Sequence, residues 1–363
     1  MPRFVGDGLG SILDLYETSL KFAQIRKRNI SQVDTRVLTI ILGPKDERRK
    51  MKLVMINDCA NVGVTLLKYM PATIERQHIK RTRGLWSKTF GVAYKILRAK
   101  GDVYHSNYIL QDCYIALRTG KKPMIGYALG SDLRTSLKHP LWGRVVRHNV
   151  RNCDKIIVST PDILGIAMQF RNDAEYLPPA VDTEVFYPKP LIRRKEKKKV
   201  LIAGNSNWAV KGTDIAIRAL SKLKDEVEAS IIQYGVDFGR TLSLASSLGL
   251  RLTVLPKASP SRIREYYWNA DVVIDQFKAG CEGMITLEAI ACGRPALAYL
   301  SSKYAEFRDF PLKDLLSEEQ IAEAIRAADD GLWREEHEYL MKNHKPESVV
   351  EKLLAMYDSV MKH

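Results

Sequence analysis

Between Met51 and Met361, short runs of apolar, β-branched residues alternate with stretches whose apolar residues recur at helical spacing, and this alternation constrains the fold more than any other feature. Strands joined by helical crossovers pair in parallel, and a parallel sheet needs helices on both faces. Lys52–Asn57 reads as the first strand of a βαβ domain, with Asp58–Gly63 as its loop and a helix beginning over Val64–Met70. Val103–His105 and Met124–Tyr127 read as further strands around a helical Cys113–Leu117. The pattern resumes with strands at Val200–Ala203, Ala229–Tyr234, Arg251–Leu255 and Ala270–Asp275, and with helices at Thr213–Leu223 and Thr241–Leu248. A last helical period covers Pro346–Met361. The fold class is therefore α/β, and 363 residues exceed what one core accommodates, so two domains are expected.

Within this frame the stretch Gly280-Cys-Glu-Gly-Met-Ile-Thr-Leu-Glu288-Ala-Ile-Ala-Cys-Gly-Arg-Pro295 carries the chemistry. It follows the strand Ala270–Asp275, so its loop lies at the carboxyl end of a parallel strand, where open α/β sheets bind ligands. A helix opening at Gly283 and Met284 presents unpaired amides and the positive end of its dipole to a diphosphate. Glu288 comes one turn later among apolar or small neighbours, Leu287, Ala289, Ile290, Ala291 and Cys292, and a carboxylate on so buried a helix needs partners.

Taken with its surroundings, this stretch resembles the donor-site signature of the GT-B glycosyltransferases, in particular the large retaining class called family 4. Leu201-Ile-Ala-Gly204-Asn-Ser-Asn-Trp-Ala-Val-Lys211-Gly212 is similar to that family's phosphate-binding segment. Asp154–Asp162 and Leu177–Phe186 resemble the segments that close its first domain. The resemblance runs over roughly residues 51–363 and implies two Rossmann-like domains facing each other across a cleft. On that basis residues 51–188 form an acceptor domain completed by the helix 346–363, residues 189–199 a basic linker, and residues 200–345 a nucleotide-sugar donor domain. Residues 1–50 precede the family's opening strand and are expected to be a peripheral extension.

What the resemblance implies for the site can be placed residue by residue. Lys211 contacts the diphosphate, and Asn205 and Ser206 stand where the family usually has an arginine. The amides of Gly283, Met284 and Ile285 hold phosphate, Glu288 binds the ribose, and backbone near Gly235 reads the base. The family's first glutamate is Gly280 here, and Glu282 is the expected substitute on the donor sugar. From the first domain, Gly63 resembles the glycine loop that approaches the donor, and Leu129-Gly130-Ser131-Asp132-Leu133-Arg134 resembles a His-Gly-x-Asp stretch without its histidine. Asp132, Arg134 and His105 are then the acceptor-side groups, with Lys211, Glu288 and Asp132 the expected catalytic set. Retention without a metal or other cofactor is implied, with a UDP or GDP sugar as donor, and the chain contains no Asp-x-Asp pair.

A formal charge of +15 calls for anionic partners. Arg76–Phe90 mixes cations with Trp86 and Phe90 and reads as a basic amphipathic segment able to lie on anionic lipid headgroups. No RNA-binding signature accompanies the charge, so nucleic acid is not an expected partner. No run of 18 or more uncharged apolar residues and no signal pattern occurs, and the five cysteines have no paired spacing. A cytoplasmic protein, peripheral on the inner membrane face and with reduced thiols, is expected. The leading reading is a retaining glycosyltransferase acting on a glycan or lipid-linked acceptor. A sugar-nucleotide epimerase of the same fold and a non-catalytic binding module are the alternatives.

Overall fold

The computed structural model describes residues 50–81, 90–190 and 197–362. The expected extension, apart from Lys50, lies outside these residues, as do residues 82–89 of the basic segment and 191–196 of the expected linker. Met51–His363 form one compact unit built on two parallel sheets.

The first sheet has the order β2-β1-β3-β4-β5-β6, from β1 (Lys52–Ile56), β2 (Glu75–Ile79), β3 (Val103–Asn107), β4 (Met124–Ala128), β5 (Lys155–Val158) and β6 (Glu175–Tyr176). In the central strands β3 and β4 every residue is buried, as expected where helices cover both faces. The second sheet runs β11-β10-β7-β8-β9, from β7 (Lys198–Ile202), β8 (Val227–Ile232), β9 (Leu252–Leu255), β10 (Val272–Ile274) and β11 (Ala296–Leu297). Strand order reverses between β1 and β3 in one sheet and between β7 and β10 in the other. Crevices open at the carboxyl ends of strands at such switch points. The loops after β1, β7 and β10 are therefore the ones that topology offers to a ligand.

The α/β reading and the strand positions hold, and two local expectations are corrected. Arg76–Ile79, the start of the expected basic amphipathic segment, is β-strand: it belongs to β2, an edge strand paired with β1 in the register Val54 opposite Gln77. Its neighbouring cations are partly engaged, Arg81 with Asp112 at 2.7 Å and Lys80 with Asp58 at 3.3 Å. The basic run also stops being a linker earlier than expected, because β7 begins at Lys198. Lys198 Nζ donates to the carbonyls of Ile325, Arg326 and Ala328 at 2.7–2.9 Å, closing the end of the Glu318–Ala327 helix.

The helix Pro346–Met361 returns to the first sheet, where Val349, Val350, Leu353 and Tyr357 pack with Leu53 and Met55 of β1. Tyr357 is wholly buried, and its hydroxyl lies 2.9 Å from His105 Nδ1. Leu353 is also wholly buried. Leu353→Ala should lower the unfolding free energy by about 2–4 kcal/mol in denaturant titration. A loss below about 1 kcal/mol would mean that this helix does not stabilise the first sheet in the way its packing indicates.

Candidate functional site

Two cavities share Ala60, Lys211 and Met284 among their lining residues. The larger, about 380 Å³, is lined by the loop after β1, by Ala258 and Ile263, and by Ile285 and Glu288 of the Met284–Ala291 helix. The smaller, about 190 Å³, adds Arg134, Thr160, Gln276 and Glu282. Both lie at the switch-point loops of the two sheets.

The second-sheet wall is organised by Asp275, the residue just after β10 and fully enclosed by protein. Lys211 Nζ reaches its Oδ1 at 2.7 Å, and the Thr286 hydroxyl donates to Oδ2 at 3.1 Å. A carboxylate cannot be buried without such partners. Two glycines are imposed by the same residue. A Cβ on Gly204 would come within 2.1 Å of the Asp275 carbonyl oxygen, and one on Gly283 within 2.2 Å of Oδ2 and 3.2 Å of Lys211 Nζ. Bare backbone at Gly283 therefore leaves the helix start open beside the lysine, and no side chain caps it. Further along the helix, Glu288 accepts from the Tyr267 hydroxyl at 2.9 Å. Burial pushes its pKa up to about 7, against the Tyr267 hydrogen bond and with help from the Asp275 charge.

The loop between β10 and this helix is stapled from inside by Gln276. Its amide carbonyl accepts from the Lys278 and Ala279 amides at 2.9 and 2.7 Å, and its NH₂ donates to the Cys281 and Tyr299 carbonyls. Gly280 sits at φ +70°, a left-handed position where a glutamate would be strained. Cys281 donates its thiol to Asp162 Oδ1 at 3.1 Å, and Asp162 in turn pairs with Arg134. Burial keeps that thiol protonated by raising its pKa. The loop after β1 carries Asn57, Ala60 and Asn61 at positive φ, and Tyr108 after β3 is left-handed too. Strain of this kind, about 1–2 kcal/mol per non-glycine residue, gathers at sites that hold a ligand.

Lys211, Gly283, Met284, Ile285 and Glu288 thus converge, and Arg134 faces them from the first sheet. Other expected site residues are placed elsewhere. Asp132 is fully buried and accepts from four backbone amides, those of Ile109, Leu129, Gly130 and Leu133, at 2.9–3.2 Å. Its lone pairs are committed to the loop, and it lines neither cavity. His105 is enclosed between Tyr357 and Asn107, and burial drives its pKa down to about 4. Gly63 gives its amide to Asp58 at 3.1 Å, and its missing side chain makes room for Asn107, 2.7 Å from where a Cβ would be. Asn205, Ser206 and Gly235 pack on one another, with the Ser206 hydroxyl buried, and line neither cavity. Glu282 borders the smaller cavity, but its side chain has no exposure and lies 3.8 Å from His344. Asp275, Tyr267, Asp162 and Cys281 escaped sequence reasoning. Only Asp275 left a signal, as an acid closing an apolar strand.

With this geometry in view, comparison with known proteins is informative. Residues 186–309 match the model of the family described as glycosyl transferases group 1. N-acetyl-alpha-D-glucosaminyl L-malate synthase of Bacillus anthracis is 21% identical over 54% of this chain and 56% of its own length. D-inositol 3-phosphate glycosyltransferase of Mycobacterium marinum is 30% identical over 41% of this chain and 35% of its own. The chain thus spans between about a third and just over half of these relatives. Among solved structures, Anabaena HepE in complex with UDP and glucose superposes with a TM-score of 0.65 at 13% identity, covering 85% of this chain and 100% of that one. The second-sheet segment is thus similar to group 1 glycosyltransferases, and the two-sheet architecture is that of HepE.

Proposed function

We propose that this chain is a retaining, metal-independent hexosyltransferase that uses a UDP or GDP sugar as donor and a glycan or lipid-linked molecule as acceptor. The observation that carries this reading is the convergence of Lys211, the open amide end of the Met284–Ala291 helix and Glu288 around one cavity. As the anomeric C–O bond breaks, the departing nucleoside diphosphate gains charge. A cation and aligned amides are the groups that stabilise it. Glu288, anchored by Tyr267, is the acceptor for ribose hydroxyls. Arg134, paired with Asp162, is the cation on the acceptor wall. The complex of HepE with UDP and glucose supports a uridine donor for this chain.

The membrane-facing surface of this reading moves to the helix Val92–Arg98, where Tyr94 and Leu97 are 60% and 56% exposed beside Lys95 and Arg98. An apolar pair ringed by cations suits anionic headgroups on a cytoplasmic membrane face. Replacing Tyr94 and Leu97 together by serine should reduce cosedimentation with phosphatidylserine vesicles several-fold while leaving nucleotide binding intact. Equal cosedimentation of variant and wild type would remove this surface from the account.

Thermal-shift screening against nucleotide sugars should identify one donor that stabilises the chain, and Glu288→Ala should abolish that shift. Lys211→Ala should abolish it too. It should also cost about 3–5 kcal/mol of stability in the absence of ligand, because Asp275 remains buried without its cation. Normal donor binding by both variants would show the site to be misplaced. Because a protonated Glu288 has lost an acceptor, donor affinity should fall as pH drops below about 7, and Glu288→Gln should lack this limb. NMR of the anomeric proton should show transfer or hydrolysis with retained configuration, whereas interconversion of two free sugar nucleotides would indicate an epimerase.

A further inference from the structure

Beneath the donor loop lie two fully enclosed titratable side chains that the proposed chemistry does not use, Glu282 and His344. They come from opposite sides of the molecule's joint. Glu282 lies on the loop between Gly280 and Gly283, and His344 sits between the helices Asp330–Asn343 and Pro346–Met361, where the chain returns to the first sheet. His344 is fixed on three sides. Its amide donates to the Leu340 carbonyl at 2.8 Å, its carbonyl accepts from the Val181 amide at 3.2 Å, and its Nδ1 lies 2.9 Å from the Pro179 carbonyl. A carbonyl only accepts, so Nδ1 carries the hydrogen and Nε2 of the neutral ring presents a lone pair. That Nε2 has no partner, and neither has either carboxyl oxygen of Glu282, 3.8 Å away at Oε1. Three buried polar atoms without partners are costly, and one proton on Glu282 would satisfy the imidazole.

We propose that His344 is a positioning residue for the donor loop: its Nε2 accepts the proton-bearing oxygen of Glu282 when the cleft closes on donor, holding the helix start at Gly283 and Met284 in register with the diphosphate. This rests on the donor-site reading above. The required approach is about 1 Å, from the present 3.8 Å to hydrogen-bond distance. The loop is the partner able to move, since Gly280 and Gly283 flank Glu282 while His344 is anchored.

The surroundings favour a neutral pair. Burial raises the Glu282 pKa to about 8, Asp162 adds to the rise, and Tyr176 of β6 and Arg134 oppose it. Tyr127 of β4, Tyr339 of the Asp330–Asn343 helix and Cys281 also feel its charge. Burial lowers the His344 pKa to about 4, with Lys352 behind it acting in the same direction. The carboxyl is therefore a donor at neutral pH and turns into a second acceptor facing a lone pair as pH rises through 8.

The test uses the full chain, with UDP and GDP as probes. If only the protonated pair is competent, wild-type affinity should be about tenfold weaker at pH 9 than at pH 7. Glu282→Gln, whose amide donates at any pH, should erase this alkaline loss while keeping the acid limb that belongs to Glu288. His344→Asn, which keeps a donor for Pro179 but is too short to place its carbonyl where Nε2 meets Glu282, should weaken binding at pH 7 as well. An alkaline loss unchanged in Glu282→Gln, or wild-type affinity in His344→Asn, overturns the proposal and leaves the donor site standing. Failure of the wild type to bind either diphosphate overturns the functional reading itself. An infrared difference spectrum of wild type minus Glu282→Gln decides without any ligand: a protonated-carboxyl band at pH 7 that vanishes by pH 9.5 supports the pair, and its absence at pH 7 refutes it.

Discussion

The site depends on one buried charge. Asp275 closes β10 at the switch point of the second sheet, and a carboxylate buried there must be met by a cation and hydrogen-bond donors. Lys211 and Thr286 meet it, one from the segment after β7 and the other from the first turn of the Met284–Ala291 helix. The pair thereby ties together the two loops that the topology places on either side of the crevice. Gly204 and Gly283 follow as consequences, because each has backbone lying where a side chain would collide with Asp275. Lys211 is held at the mouth of the cavity with its side chain 23% exposed, still able to meet a ligand's negative charge.

From this centre the loop reaches the first half of the chain at Asp162 and the returning C-terminal segment at His344. Cys281 donates to Asp162, which is already paired with Arg134, and Glu282 faces His344 at the crossover. Gln276 fixes the first part of the loop, from Lys278 to Cys281, and leaves Glu282 beyond it. A loop built this way transmits the relative position of the two sheets to the helix amides. The helix start and the geometry of the crevice are thus linked through a short set of contacts, one of which, Cys281 to Asp162, joins residues 119 positions apart.

How much of this was legible in the sequence follows from the range of the interactions involved. The alternation of strands and helices is a local signal, and it located β1, β3 and β4 of the first sheet and β7 to β10 of the second, while β2, β5, β6 and β11 went unread. Lys211 and Glu288 were legible because each stands in a short motif whose backbone context, a strand followed by a helix start, the motif itself dictates. Asp132 and His105 lie away from both cavities, and the sequence could not show this for the opposite reason. Polarity near a cleft is visible in the sequence, but the four amides that consume Asp132 and the Tyr357 hydroxyl that encloses His105 are brought in by the fold. Tyr267 lies 21 residues before Glu288 and left no periodic trace. The sequence of Arg76–Ile79 gave no strand signal, and its pairing with β1 as an edge strand is a long-range contact. Glu282 was read as a sugar contact because the expected glutamate is Gly280. The left-handed turn at Gly280 and the enclosure of Glu282 against His344 give that sequence change a structural reason instead.

The most direct test of the central claim is a crystal structure of the chain with UDP or GDP bound. The diphosphate should lie within hydrogen-bond reach of Lys211 Nζ and the amides of Gly283–Ile285, with the ribose against Glu288. A nucleotide seated instead in the basic cavity lined by Lys189, Lys197 and Trp268, at the opposite ends of these strands, would contradict it.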